Sequence, residues 1–239
     1  MSTIPFDKKQ VRVIAHRGLS GIEAENTNAA FVAAGNRSYY GIETDVRRTA
    51  DGQYVINHDG NLSRIAGVDM TVETSTLQEL QNVVLLNKDG AKSRADLRVP
   101  TLKNYLDICQ KYGKHSILEL KAPFSDEQLG EIIDEVRKAG QLDDTTFISF
   151  YYENLLKIRQ ALPQQSVQFL FGELTEEIEK RLIADHIDVD AQFGTLTPEN
   201  IRRFHDEGLK VNCWTVDHPL DGERLASWGV DLITSNILE

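Results

Sequence analysis

Short apolar, β-branched runs alternate along this chain with segments whose apolar residues recur every three to four positions. The runs predict strands over Arg12 to Ala15, Gly41 to Val46, Ser116 to Leu120, Thr145 to Ser149, Val167 to Phe171, Val189 to Gln192, Lys210 to Trp214 and Asp231 to Thr234. The segments between them predict helices over Glu25 to Gly35, Thr101 to Tyr112, Asp126 to Ala139, Tyr152 to Leu162, Glu176 to Ala184, Pro198 to Glu207 and Leu220 to Trp228. Helix boundaries carry their own signals. Ser125 precedes Asp126 as an N-cap, with Gln128 at the capping-box position, and Gly140 follows as a C-cap. Thr197-Pro198-Glu199-Asn200 repeats the logic with proline at the first helical position, and Gly208 closes that helix. Strands alternating with helices describe an α/β protein with a parallel sheet, and eight of them favour a closed TIM (β/α)8 barrel. An open doubly wound sheet would usually carry a glycine fingerprint after its first strand, and His16-Arg17-Gly18-Leu19-Ser20-Gly21 is not one.

Two departures from a plain barrel are visible. Asp51-Gly52 turns the chain after the second strand into Gln53 to Asp59, a hairpin-like extension carrying a second histidine, His58. Residues 60–99 then hold one short helical segment, Thr76 to Val84, and a polar loop, Asn87 to Ser93. They read as a small insertion within a single domain, residues 1–239. Only about five residues follow the eighth strand, so the usual closing helix is missing and apolar surface beside the first and eighth strands needs cover. The segment around Ile4, Pro5 and Phe6, or a second subunit in a homo-oligomer, is expected to supply it.

The strand pattern also gathers charge. Glu43 and Asp45 lie two apart in one strand, and Glu119 and Lys121 two apart at the end of another, so each pair points to one face. His16 and Arg17 end a third strand. Two carboxylates about 7 Å apart repel by about 2 kcal/mol at an effective dielectric near 20. A third, Glu119, adds to that cost, and Lys121 cancels only one charge. A divalent cation would offset all of it. The candidate ligands are carboxylate oxygens, so the ion expected is hard, Mg2+ or Ca2+ rather than Zn2+.

Composition narrows the partners. The 239 residues are 41% hydrophobic and 26% charged, an ordinary globular balance, with a net charge of -11. That acidity argues against nucleic acid or an anionic membrane as the main partner, and an anionic substrate would need local help from a metal, Arg17 or Lys121. Met1 to Gln10 lack an apolar signal core and no apolar run approaches membrane-spanning length. With Cys109 and Cys213 far apart in no motif, the expectation is a cytoplasmic protein with reduced thiols.

The order and spacing of several short motifs resemble the glycerophosphodiester phosphodiesterase family over nearly the whole chain. They are His16-Arg17-Gly18, Glu25-Asn26-Thr27, Ile42-Glu43-Thr44-Asp45-Val46, Thr49-Ala50-Asp51-Gly52, His58-Asp59, Pro100-Thr101-Leu102, Glu119-Leu120-Lys121, Ser149-Phe150 and Trp214-Thr215-Val216-Asp217. The resemblance implies a TIM barrel that hydrolyses glycerophosphodiesters to glycerol 3-phosphate and an alcohol. It implies Glu43, Asp45 and Glu119 as metal ligands, His16 and His58 as general acid and base, Arg17 and Lys121 as phosphate contacts, and Phe150 and Trp214 as aromatic pocket walls. Taken alone, His16 reads as a strand-end histidine, Glu43 and Asp45 as partners of Arg47, Phe150 and Trp214 as packing residues, and Glu25-Asn26-Thr27 as a helix start. Asp59 reads as the residue that orients His58. Thr234-Ser235-Asn236 departs from the family's Thr-Asp ending, which puts a supporting hydrogen bond in doubt. Lipases of the same fold and a non-catalytic polyol-phosphate binding protein are the rival functions.

Overall fold

The structure, a computed structural model, describes residues 2–239. Among these residues eight parallel strands close into a cylinder: β1 (Arg12–Ala15), β2 (Gly41–Arg48), β4 (His115–Leu120), β5 (Thr145–Ser149), β6 (Ser166–Phe171), β7 (Asp188–Gln192), β8 (Val211–Trp214) and β9 (Leu232–Ser235). Each pairs with the next, and β1 pairs with both β9 and β2, which removes any free edge. The remaining strand, β3 (Tyr54–Ile56), runs antiparallel to the outer end of β2 as the predicted hairpin arm. The sheet is a TIM barrel. The predicted strands, and the predicted helices from Thr101 onward, fall within two residues of the observed bounds.

Both faces of these strands are buried, which is why they read as continuous apolar runs. Outside, the sheet packs against α1 (Asn28–Gly35), α4 (Leu102–Tyr112), α5 (Asp126–Lys138), α6 (Tyr152–Ala161), α7 (Glu176–Asp185), α8 (Pro198–Asp206) and α9 (Pro219–Trp228). Inside, Ile14, Ile117, Ile148, Leu170 and Leu232 form a separate apolar plug, so the cylinder is filled rather than open. Gly41 is needed at the β2 entry, where a Cβ would lie 2.7 Å from the His115 carbonyl oxygen. The capping boxes expected at Ser125/Gln128 and Thr197/Asn200 both form.

Two expectations need correction. The first helix begins at Asn28, not Glu25: Thr27 is its N-cap, and Asn26 is left-handed with φ 53°. Glu25 and Asn26 therefore sit in a loop whose side chains are free for other work. The insertion holds two short helices, α2 (Ser63–Ala66) and α3 (Leu77–Asn82), rather than one. A single turn such as α2 is too short to show periodicity. The insertion has its own core of Val55, Leu62, Val72, Leu80, Leu97 and Val99.

After β9 the chain runs beside the N-terminal segment. Ile4 donates to the Ile237 carbonyl at 3.0 Å, and Glu239 donates back to the Ile4 carbonyl at 3.0 Å. Leu238 is buried, and Phe6 packs on Gly222 of α9, where a Cβ would come within 2.8 Å of its ring. The cover expected from Ile4 to Phe6 is thus supplied within the chain. No helix among the described residues is long and apolar enough to cross a membrane.

Candidate active site

The register of β2 against β4 sets Asp45 beside Glu119, and Glu43 lies two residues earlier on the same face. All three side chains are buried at the C-terminal end of the barrel, and one oxygen from each lies within 4.8 Å of the others. Three carboxylates in so small a buried space cannot all ionise comfortably. Burial and the neighbouring carboxylates push Glu43 well above the usual range and Glu119 up to about 8. Asp45 behaves differently: burial pushes it up, but Lys121, Arg17 and a hydrogen bond from Asn26 outweigh that and hold it below the ordinary carboxylate range. One oxygen of Asp45 is buried without a hydrogen-bond partner. A carboxylate oxygen with no hydrogen bond, beside Lys121 and among three hard oxygen donors, fits a divalent cation.

Cations and amides frame the trio. Lys121 Nζ is 2.8 Å from Glu119 Oε1 and 3.4 Å from Asp45 Oδ1. Arg17 is left-handed at φ 52°, which turns its backbone N–H onto Glu43 Oε2 at 2.8 Å. Its Nη1 meets Glu25 Oε1 at 2.9 Å and its Nε stands 3.6 Å from Asp45 Oδ2. Asn26 donates to Asp45 Oδ2 at 2.7 Å and accepts from Thr44 at 2.8 Å.

The two histidines are held from behind. Asn236 donates its amide N–H to Asp217 at 2.6 Å, so its Oδ1 faces His16 Nδ1 at 2.8 Å. An amide oxygen only accepts, so Nδ1 carries the hydrogen and Nε2 is left with its lone pair, 3.9 Å from Glu43. Burial, helped by Arg17, pushes His16 down to about 4, so it is neutral near pH 7. The doubt over Thr234-Ser235-Asn236 is removed, because Asn236 itself makes the supporting bond. His58 Nδ1 meets Asp59 Oδ1 at 2.8 Å, and Arg64 Nε holds Asp59 Oδ2 at 2.7 Å. Burial lowers His58 and Asp59 opposes that shift. Arg64 also grips Glu25 with both terminal nitrogens at 2.8 Å, joining the supports of His58 and Arg17. Arg47 is not the partner of Glu43 or Asp45; it donates to the His58 carbonyl at 2.7 Å and pairs with Glu73.

Phe150 and Trp214 face each other edge-on with ring centroids 5.7 Å apart. Both line a cavity of about 100 Å³ that also takes in His16, Arg17, Glu43 and Glu119. The structure therefore brings together His16, His58, Arg17, Glu43, Asp45, Glu119, Lys121, Phe150 and Trp214. His115 stacks on Tyr40 at the opposite end, and His205 pairs with Asp231 there. Sequence reasoning missed Arg64 and the buried Asp190, and named Asn26 and Asn236 only within their motifs, without the partners they serve. The signal for Asp190 was an acid inside a strand otherwise buried; Arg64 carried none, being an ordinary polar residue until the fold brings it in.

A carboxylate trio, two cations and two histidines on the C-terminal rim of a parallel barrel define a hydrolase built to cleave an anionic ester. The sequence profile of the Glycerophosphoryl diester phosphodiesterase family matches residues 16–238. The glycerophosphodiester phosphodiesterase of Bacillus subtilis strain 168 is 27% identical over 95% of this chain and 84% of its own length. That of Caldanaerobacter subterraneus is 29% identical, covering 94% of this chain and 93% of its own. Among solved structures, a Silicibacter pomeroyi protein described as a glycerophosphoryl diester phosphodiesterase superposes with a TM-score of 0.86 at 27% identity, covering 95% of this chain and 90% of its own. The chain belongs to the glycerophosphoryl diester phosphodiesterase family and is a phosphoric diester hydrolase. An Oleispira antarctica phosphodiesterase solved with the product sn-glycerol-3-phosphate shares the fold, with a TM-score of 0.87 at 24% identity over 98% of this chain and 96% of its own.

Proposed function

We propose that this enzyme cleaves glycerophosphodiesters to glycerol 3-phosphate and an alcohol. Glu43, Asp45 and Glu119 hold one divalent cation, Mg2+ or Ca2+; His16 and His58 divide the acid and base work; and Arg17 and Lys121 hold the phosphate. The observation that carries the reading is the buried trio whose oxygens converge within 4.8 Å, flanked by two oriented histidines. A bound cation would neutralise charge developing on the phosphoryl oxygens.

The chain's own groups do the rest. Arg17 and Lys121 are fork and point donors already turned toward the trio, so a dianionic transition state meets fixed positive charge instead of reorganising water. His16, neutral and with Nε2 bare, is suited to accept a proton from an attacking hydroxyl. His58 can supply one from Nε2 to the departing oxygen when its ring is protonated on both nitrogens, a form the Asp59 carboxylate favours against the lowering effect of burial. Phe150 and Trp214 wall the cavity that His16 and Arg17 also line. The reading places this chemistry in a single barrel domain in the cytoplasm, where the buried thiols of Cys109 and Cys213 stay reduced.

The test is release of glycerol 3-phosphate from glycerophosphocholine, glycerophosphoethanolamine and glycerophosphoglycerol, with lysophospholipids alongside. Release that a chelator abolishes and Mg2+ or Ca2+ restores is expected. Tight binding without turnover would mark a binding protein, and turnover of lysophospholipids alone would mark a lipase.

A further inference from the structure

Asp190 has no part in the account so far. It lies on β7 in register with Leu170 and Asn212, is 1% exposed, and lines the same cavity as His16, Phe150 and Trp214. One of its carboxyl oxygens is buried without a hydrogen-bond partner. Such an oxygen is costly to bury unless something occupies it. Its backbone carbonyl accepts from Trp214 Nε1 at 3.2 Å, so the same residue also fixes the aromatic wall. Burial, helped by the nearby Glu119 carboxylate, pushes its carboxyl well above the usual range.

The site has two unequal lobes that share His58, Glu119 and Phe150. The lobe floored by Asp190 has about 100 Å³, roughly three waters' share at ~30 Å³ each. The other is an open cleft of about 450 Å³ lined by Arg47, Asp59, Lys121 and Tyr151. A small lobe suits the part common to every substrate, and a larger, more open one the part that varies. Resting on the glycerophosphodiester reading above, we infer that Asp190 is a specificity-determining residue that hydrogen-bonds a hydroxyl of the substrate's glycerol arm in the smaller lobe. The alcohol head group then lies in the open cleft. A buried polar group built for a hydroxyl discriminates strongly against an analogue that lacks it.

The experiment compares binding of sn-glycerol 3-phosphate and n-propyl phosphate, equal in charge and carbon count, to the metal-loaded enzyme by calorimetry. Unsubstituted enzyme should prefer glycerol 3-phosphate. Asp190→Leu should cut that preference at least fivefold, while Asp190→Asn, which still donates and accepts, should keep it within about threefold. If leucine overpacks the layer, Asp190→Ala decides in its place, with thermal unfolding as the check on folding. An unchanged preference in a folded leucine or alanine variant overturns this inference alone. Failure of the unsubstituted enzyme to release glycerol 3-phosphate from glycerophosphocholine overturns it together with the reading beneath it.

Discussion

Glu43, Asp45, Glu119 and Lys121 were legible because a strand repeats every two residues, which turns sequence spacing into a shared face. Arg64 was not, and Asn26 and Asn236 were named only within motifs, since the atoms these three serve lie 39, 19 and 220 residues away along the chain. Replacing His16 or His58 with alanine should lower turnover about 10²–10⁴-fold with little change in unfolding temperature, because each contributes proton transfer rather than packing. Steady-state rates beside thermal melts check this, and comparable rates in both variants would remove the acid/base assignment. Asn236→Asp is sharper. A carboxylate in place of the amide favours the imidazolium, so His16 should rise from about 4 toward its ordinary value. A neutral His16 would then be lost at a higher pH, and the acidic limb of the pH profile of kcat/KM should move upward.

At the level of elements, the strands and the helices from Thr101 onward were readable because periodicity and caps agree. The first helix was misplaced at its start because Glu25-Asn26-Thr27 carries helix-start chemistry while its first two residues serve the site. The insertion was under-read: α2 is a single turn, and the role of Arg64 at its second position depends on contacts across the fold. Arg64 ties the insertion to the barrel through Asp59 and Glu25. Arg64→Ala should cut turnover by about tenfold. Arg64→Lys should recover only part, since a single ammonium cannot grip both carboxylates as a planar fork does. Rates matching the unsubstituted enzyme in the alanine variant would make the bridge mere surface pairing.

The whole molecule should show two opposing responses to pH. His115, pushed down to about 4 by burial, is neutral in the fold; the stability this carries is complete above about pH 6.5 and lost as pH falls toward 4. Glu119, raised to about 8, acts in the other sense: without a cation its contribution is present below the unfolded carboxylate range near 4.5 and lost as pH rises to about 8. Between about pH 6.5 and 8 only the carboxylates operate. Thermal melts of chelator-treated protein should therefore fall across that interval, and Mg2+ or Ca2+ should raise the midpoint most at its upper end. His115→Gln should lessen the fall on the acidic side only, with His16 and His58, also lowered by burial, keeping part of it.

Glu43, Asp45 and Glu119 are expected to form one cation site. Calorimetric titration of chelator-stripped protein with Ca2+ and with Mg2+ reads this out. One saturable site is expected for at least one of these ions, weakened at least tenfold by Glu119→Gln. Saturation unaffected by that substitution, or no binding of either ion at millimolar concentration, would contradict it.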